Sequence, residues 1–126
     1  MEAVSFPKIE AALVAFLNAA FVARSHAARA GVTVPAARGP FVKVTRIGGT
    51  HSLVHDEPMV IFECWDTSQS KAADLANLTR ALVGSMDTGA VWYGREVGGV
   101  AYFPDPLSDD HRYQFTALLR TRGEAI

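Results

Sequence analysis

Four groups of residues have the types and spacing that chemistry uses. His51 and His55 stand four apart and run into Asp56 and Glu57. On a helix, two histidines at that spacing reach one metal ion. Gly48-Gly49 and Pro58 bracket the segment as a loop, however, and the intervening residues do not give His-Glu-x-x-His. A solvated polar loop is the preferred reading. Cys64 would be a nucleophile if a histidine approached it. It falls mid-strand between Glu63 and Trp65, on the face of Val60 and Phe62, where a cysteine acts as a small buried hydrophobe. Asp105, Asp109 and Asp110 offer oxygen ligands but lack the spacing of a calcium loop, so they read as a hydrated acidic turn or a charged docking surface. Neither Gly48-Gly49 nor Gly98-Gly99 is followed by Lys-Ser/Thr, so turn and bulge roles replace phosphate binding. No catalytic residue, metal site or cofactor is expected.

Composition narrows the class. The 126 residues suit one domain, residues 1–126, and 49 % hydrophobic with 20 % charged residues argues for a packed core rather than disorder. A net charge of −1 shows no excess that would draw nucleic acid. The single cysteine can form no intrachain disulfide and fits a reducing compartment. The first residues carry no basic region ahead of an apolar run, so no signal peptide is expected. The apolar stretch Ile9–Ala23 contains Glu10 and Asn18 and is too short to cross a bilayer. A cytoplasmic protein with no membrane contact is expected.

The elements follow from periodicity. Ile9, Leu13, Phe16, Leu17, Ala20 and Phe21 share one face of a helix spanning Lys8 to Arg24, started by Ser5 or Pro7. Val14 and Val22 fall off that face, either exposed or packed on a neighbour. Residues Ala27 to Pro40 show no period and read as a loop. Phe41 to Ile47 alternates as a strand with Val42 and Val44 inward, ended by Gly48-Gly49; Thr50 to Pro58 reads as a polar loop. Met59 to Trp65 is apolar on both faces. It is expected to be a central strand covered on both sides, or on one side by another subunit. Asp66-Thr67-Ser68 caps a second helix, Gln69 to Met86. Val91–Tyr93 and Val97–Phe103 read as two short strands, the second with a bulge at Gly98-Gly99. His111 to Arg122 alternates, with Tyr113, Phe115, Ala117 and Leu119 on one side and Arg112, Gln114, Thr116, Leu118 and Arg120 on the other. The tail from Gly123 is expected to fray. The sum is an α+β domain: an antiparallel-rich sheet of four to five strands with two main helices packed on one face.

Two surface features suggest self-association. Arg24, Arg29, Arg38, Lys43 and Arg46 form a stretch without an acid, whereas Asp56 to Asp74 is biased the other way; such patches on one subunit can meet head to tail in a ring. Ile61, Trp65, Trp92, Tyr93 and Leu118 exceed what one sheet face needs, and intersubunit contact and ordinary core are equal readings of them.

The order and spacing of several segments carry a resemblance. Ile9-Glu10-x-x-Leu13-Val14-x-x-Leu17 is followed by Val34-Pro35, then Val42-x-Val44-x-Arg46-x-Gly48-Gly49. Further on come Asp56-x-Pro58-x-Val60-x-Phe62-x-Cys64-Trp65 and Ser70-Lys71-Ala72-Ala73. The chain closes with Pro104-Asp105-Pro106, Arg112-Tyr113-x-Phe115 and Arg120. Over most of its length this resembles the tail terminator proteins of long-tailed, siphovirus-type bacteriophages, especially those of actinobacterial hosts. The resemblance implies a non-enzymatic virion protein with an α+β fold, acting as a homo-hexameric ring at the head-proximal end of the tail after assembly in the host cytoplasm. Its implied partners are other copies of itself, the tail tube protein and a head-closure or connector protein, with DNA passing through the lumen without sequence-specific binding. The ring would cap the tube, end its polymerisation and offer a surface for head–tail joining.

That family has no catalytic residues to carry over. Subunit or tube contacts are therefore expected, from this sequence's own physics, among Arg38, Lys43, Arg46, His51, Asp56, Glu57, Trp65, Trp92, Tyr93, Asp105 and Arg112. Loops Ala27–Pro40 and Thr50–Glu57 are expected to order on docking. The alternatives are a head–tail connector or other minor tail protein and, from a different class, a small ligand-binding or metal-dependent α+β enzyme built on the His51–Glu57 cluster.

Overall fold

The computed structural model of the chain describes residues 3–37, 39–108 and 110–125. The elements in order are β1 (Val4–Ser5), α1 (Ile9–Ala23), β2 (Arg29–Gly31), β3 (Phe41–His51), β4 (His55–Asp66), α2 (Gln69–Gly84), β5 (Val91–Tyr102), β6 (His111–Arg122) and β7 (Glu124–Ala125). Five strands form one sheet in the order β2-β3-β4-β6-β5. All its pairings are antiparallel except β2 with β3. The fold is α+β, two helices on a mostly antiparallel mixed sheet.

Alternation on the strands decides which face the helices cover. Val42 and Val44 of β3, Val60, Phe62 and Cys64 of β4, and Phe115, Ala117 and Leu119 of β6 are all buried. They meet Ile9, Leu13, Leu17 and Phe21 of α1 and Ala72, Leu75, Ala76, Leu82 and Val83 of α2 in one core. Phe62 and Phe115, cross-strand partners, stack with ring centroids 4.9 Å apart. Val14 packs against this core, while Val22 is exposed. The Ser68 hydroxyl accepts the Lys71 N–H at 3.2 Å and starts α2, as its sequence signal predicts. The start of α1 differs from the expectation: its N-cap is Lys8, without a side-chain cap.

Several boundaries depart from the periodicity reading. The Ala27–Pro40 segment is not all loop. Its residues Arg29–Gly31 run parallel to Phe41–Lys43 as a short edge strand. Asn18, the polar interruption of α1, explains why three residues suffice. Its amide donates to Ala30 O at 3.1 Å, and its Oδ1 accepts from Ala30 N at 2.8 Å. One side chain thus satisfies both backbone groups that an edge strand would otherwise leave open.

Gly48-Gly49 does not end the strand, and Thr50–Pro58 is not a loop. β3 continues to His51 and β4 begins at His55, a long hairpin with a register shift between Arg46 and Gly48. Gly49 has φ +108 and faces the backbone of Glu57 and Met59 with no room for a Cβ, so glycine is what lets the hairpin pass through the shift. The two short strands expected at Val91–Tyr93 and Val97–Phe103 form one strand, β5, whose second register shift, between Val97 and Ala101, encloses the expected Gly98-Gly99 bulge. The tail does not simply fray, because Glu124 and Ala125 pair with Ser5 and Val4. Pairing between strands, which the period of a single segment does not report, is the common cause of these departures.

Replacing Asn18 with Ala should lower the unfolding free energy by about 1–3 kcal/mol, because Ala30 then loses both partners. Chemical denaturation would measure it, and a loss below about 0.3 kcal/mol would show that solvent replaces the clamp at no cost.

Candidate assembly surfaces

The face of the sheet opposite the helices is covered by no other element among the described residues. It is organised in cross-strand rows. At one end Lys43, Glu63 and Gln114 lie abreast, with Phe41, Trp65 and Arg112 in the next row. The middle holds Thr45, Ile61, Thr116 and Val97, followed by Met59, Leu118 and Arg95. At the far end Arg120 pairs with Trp92 across the ladder and reaches Glu57 at 3.3 Å. An apolar and threonine-rich band is thus bounded at both ends by ion pairs. Most of its side chains are half-buried by one another rather than by a second layer.

Arg112 organises the first end. Its Nη1 donates to Glu63 Oε1 at 2.8 Å and its Nε to the Phe103 carbonyl at 2.8 Å, while the guanidinium lies 4.9 Å from the Trp65 ring centroid. Glu63 also faces Lys43 at 3.8 Å. Trp65 is only 6 % exposed. It supports Arg112 instead of presenting its ring to a partner. The planar guanidinium can stack and donate at once, which a lysine at this position would not do.

Other expected interface residues have internal work. Arg46 grips Asp56 through two bonds, Nη1 to Oδ2 at 2.7 Å and Nη2 to Oδ1 at 2.9 Å. Asp56 is 3 % exposed. This bidentate pair ties β3 to β4 beyond the register shift and holds a carboxylate within the fold. With Lys43 against Glu63, two cations of the basic stretch meet acids of the acidic stretch inside one chain, so at these positions the complementarity expected between subunits is intramolecular. Tyr93 packs against the core, and Trp92 makes an edge contact with His55 at 6.2 Å. Arg38 lies outside the described residues.

His51 and His55 sit on either side of the β3–β4 hairpin tip rather than on a helix, with His51 edge-on to Phe6 at 6.1 Å. No group of three or more His, Cys, Asp or Glu is placed to hold a metal ion among the described residues. Cys64 is buried, and desolvation, with a smaller push from Glu63 against a stabilising Thr79 hydrogen bond, raises its pKa from near 9 to about 12. Such a thiol stays protonated and does not attack. Arg80 of α2 is held above its ordinary value by its hydrogen bonds to Glu96 of β5.

No family model and no curated protein matches this chain in sequence.

Sequence reasoning missed the two ends of the sheet. The hairpin tip exposes Leu53 and Val54 beside Val4 and Phe6, and the β5–β6 connection exposes Phe103 and Leu107. The signal was present as apolar residues in turn segments, which ordinary turn chemistry does not require.

Arg46→Met leaves the Asp56 carboxylate buried without its cation and should cost about 2–3 kcal/mol of stability, less than a fully buried pair because Arg46 is one-third exposed. An unchanged denaturation midpoint would show that Asp56 is solvated in the folded chain. For Cys64, the folded pKa lies above the unfolded one, so its contribution is constant below pH 9 and stability falls as pH rises from 9 toward 12, at up to about 1.4 kcal/mol per pH unit. The difference in that slope between the wild-type chain and Cys64→Ala isolates the effect, and equal slopes would show that the thiol ionises in the folded state.

Proposed function

We propose that this chain is a ring-forming structural protein of a phage tail, a tail terminator that caps the tail tube, stops its growth and presents a surface for head–tail joining. The observation that carries the reading is the uncovered sheet face, an apolar and threonine band framed by the Lys43–Glu63–Arg112 cluster and the Glu57–Arg120 pair. A sheet face of this kind gains stability when a second surface removes its apolar band from water, at roughly 25 cal/mol per Å². The framing charges favour a partner in one register. The resemblance in segment order along the chain supports the same reading, and the partners proposed are copies of the chain, the tube protein and a connector protein.

One expectation attached to this reading changes. Within the segments 27–40 and 50–57, β2 and the arms of the β3–β4 hairpin are already paired in the single chain and do not await a partner. The surface is preorganised, which lowers the entropic cost of assembly. Six copies of a modest contact would then sum to a strong hold on a tube end.

Light scattering across concentration tests the ring, and arrest of tube-protein polymerisation at substoichiometric amounts tests the cap. Ile61→Arg places a charge in the apolar band and should abolish capping with the fold retained by circular dichroism. Full capping by this variant would remove the open face from the mechanism. Preferential binding to portal assemblies over tube ends would move the assignment to a connector.

A further inference from the structure

The two ends of the sheet differ in shape and charge in a way that fits them to each other. At one end residues 103–108, which follow β5, form a turn with Leu107 at 95 % exposure and Phe103 at 50 %. The turn is held rigid from within. Leu107 N donates to Asp105 Oδ1 at 3.0 Å, the Ser108 hydroxyl donates to Asp105 Oδ2 at 2.6 Å, and Asp105 N donates to Asp110 O at 3.0 Å. Arg112 Nε fixes the Phe103 carbonyl from below. A large apolar side chain at the apex of a fastened turn has already lost the backbone freedom that binding would otherwise cost.

At the other end lies a hollow of about 440 Å³ walled by Val4, Phe6, His51, Leu53 and Val54. Its walls are also built in advance. The pairing of β1 with β7 sets Val4, and the contact of Phe6 with His51 and the bond from Gly123 N to Val54 O at 2.9 Å join the wall to the hairpin tip. Gly123 has no space for a Cβ against Val4 and Phe6. The length of β6 separates the two ends, roughly 35–40 Å for its 12 residues.

We propose that a second copy of this chain inserts its Phe103–Leu107 turn into this hollow, giving a head-to-tail contact between copies. The proposal rests on the self-association read above and names the contact that drives it. Charge selects the heterologous pairing. Among the described residues of 103–110, Asp105 and Asp110 are acids and none is a base, with Asp109 outside them, whereas 50–55 contain His51 and His55 and no acid. Arg122 ends β6 and, with Glu124, lines a neighbouring pocket that shares Phe6 with the hollow. Knob against knob would oppose acids, while knob into hollow brings them against a wall that, among the described residues, holds the His51 imidazole and no acid. A contact between different patches repeats from copy to copy and closes into a ring when its rotation divides a full turn.

Sedimentation of the full chain and two variants tests this. Leu107→Asp removes the knob and Leu53→Asp spoils the hollow. Both positions are exposed, so the thermal midpoint should not move. Each variant alone should associate at least roughly 30-fold more weakly than the wild type. Mixed one to one, they should form a dimer and nothing larger, because only the Leu53→Asp knob and the Leu107→Asp hollow remain intact. Wild-type chain that stays monomeric to roughly millimolar concentration would overturn the contact. So would variants that assemble as the wild type does, or a mixture no larger than its parts. In the case of variants that still assemble, and still cap tubes, the ring reading survives while this contact falls.

Discussion

Burial of Val60, Phe62 and Cys64 beneath both helices sets the register of the whole sheet. β4 is the middle strand, and both its neighbours pair with it over most of its length. A slip of one residue would turn Glu63 and Trp65 into the core and Phe62 out to water, exchanging every side chain of the strand. The pairing therefore holds Phe115 and Ala117 on the core side, and with them Gln114, Thr116 and Leu118 on the other. The rows of the open face are a direct consequence of the core.

Polar groups then secure what burial alone leaves loose. Asn18 closes the edge at Ala30, Arg46 and Asp56 lock the hairpin past its shift, and Arg112 joins Glu63, Trp65 and the Phe103 carbonyl. Each joins two different elements and is geometrically specific, so each adds definition to a fold whose gross stability is hydrophobic. Their joint effect is a chain whose outward surfaces are formed before any partner arrives. In the proposed ring this matters more than affinity at any single contact, since rotational closure depends on repeated geometry.

The open face, the apolar hollow and the acidic knob divide the proposed work. The face carries a band with charges at both limits, suited to a partner that lies across it. In the proposed contact the two ends serve copies of the same chain. One domain of this size can host both because its second layer of helices covers only one face.

The sequence by itself determined the two helices, the inward positions Val42 and Val44 of β3, the alternation along β6, the burial of Cys64 and the bulge at Gly98-Gly99, because all of these rest on local period or on the conformational freedom of one residue type. It also marked Arg112 and Lys43 as surface residues of interest, though not their common partner Glu63. Tertiary structure alone decided that Arg29–Gly31 is a strand, that Gly48-Gly49 lies within a hairpin, that the termini pair, and that Asp56 and Trp65 turn away from water. Those outcomes depend on partners in other elements: Asn18 for Ala30, Arg46 for Asp56, Arg112 for Trp65. Periodicity registers which face a residue prefers, but a hydrogen bond or ion pair across the fold is set by distances that only the assembled chain fixes.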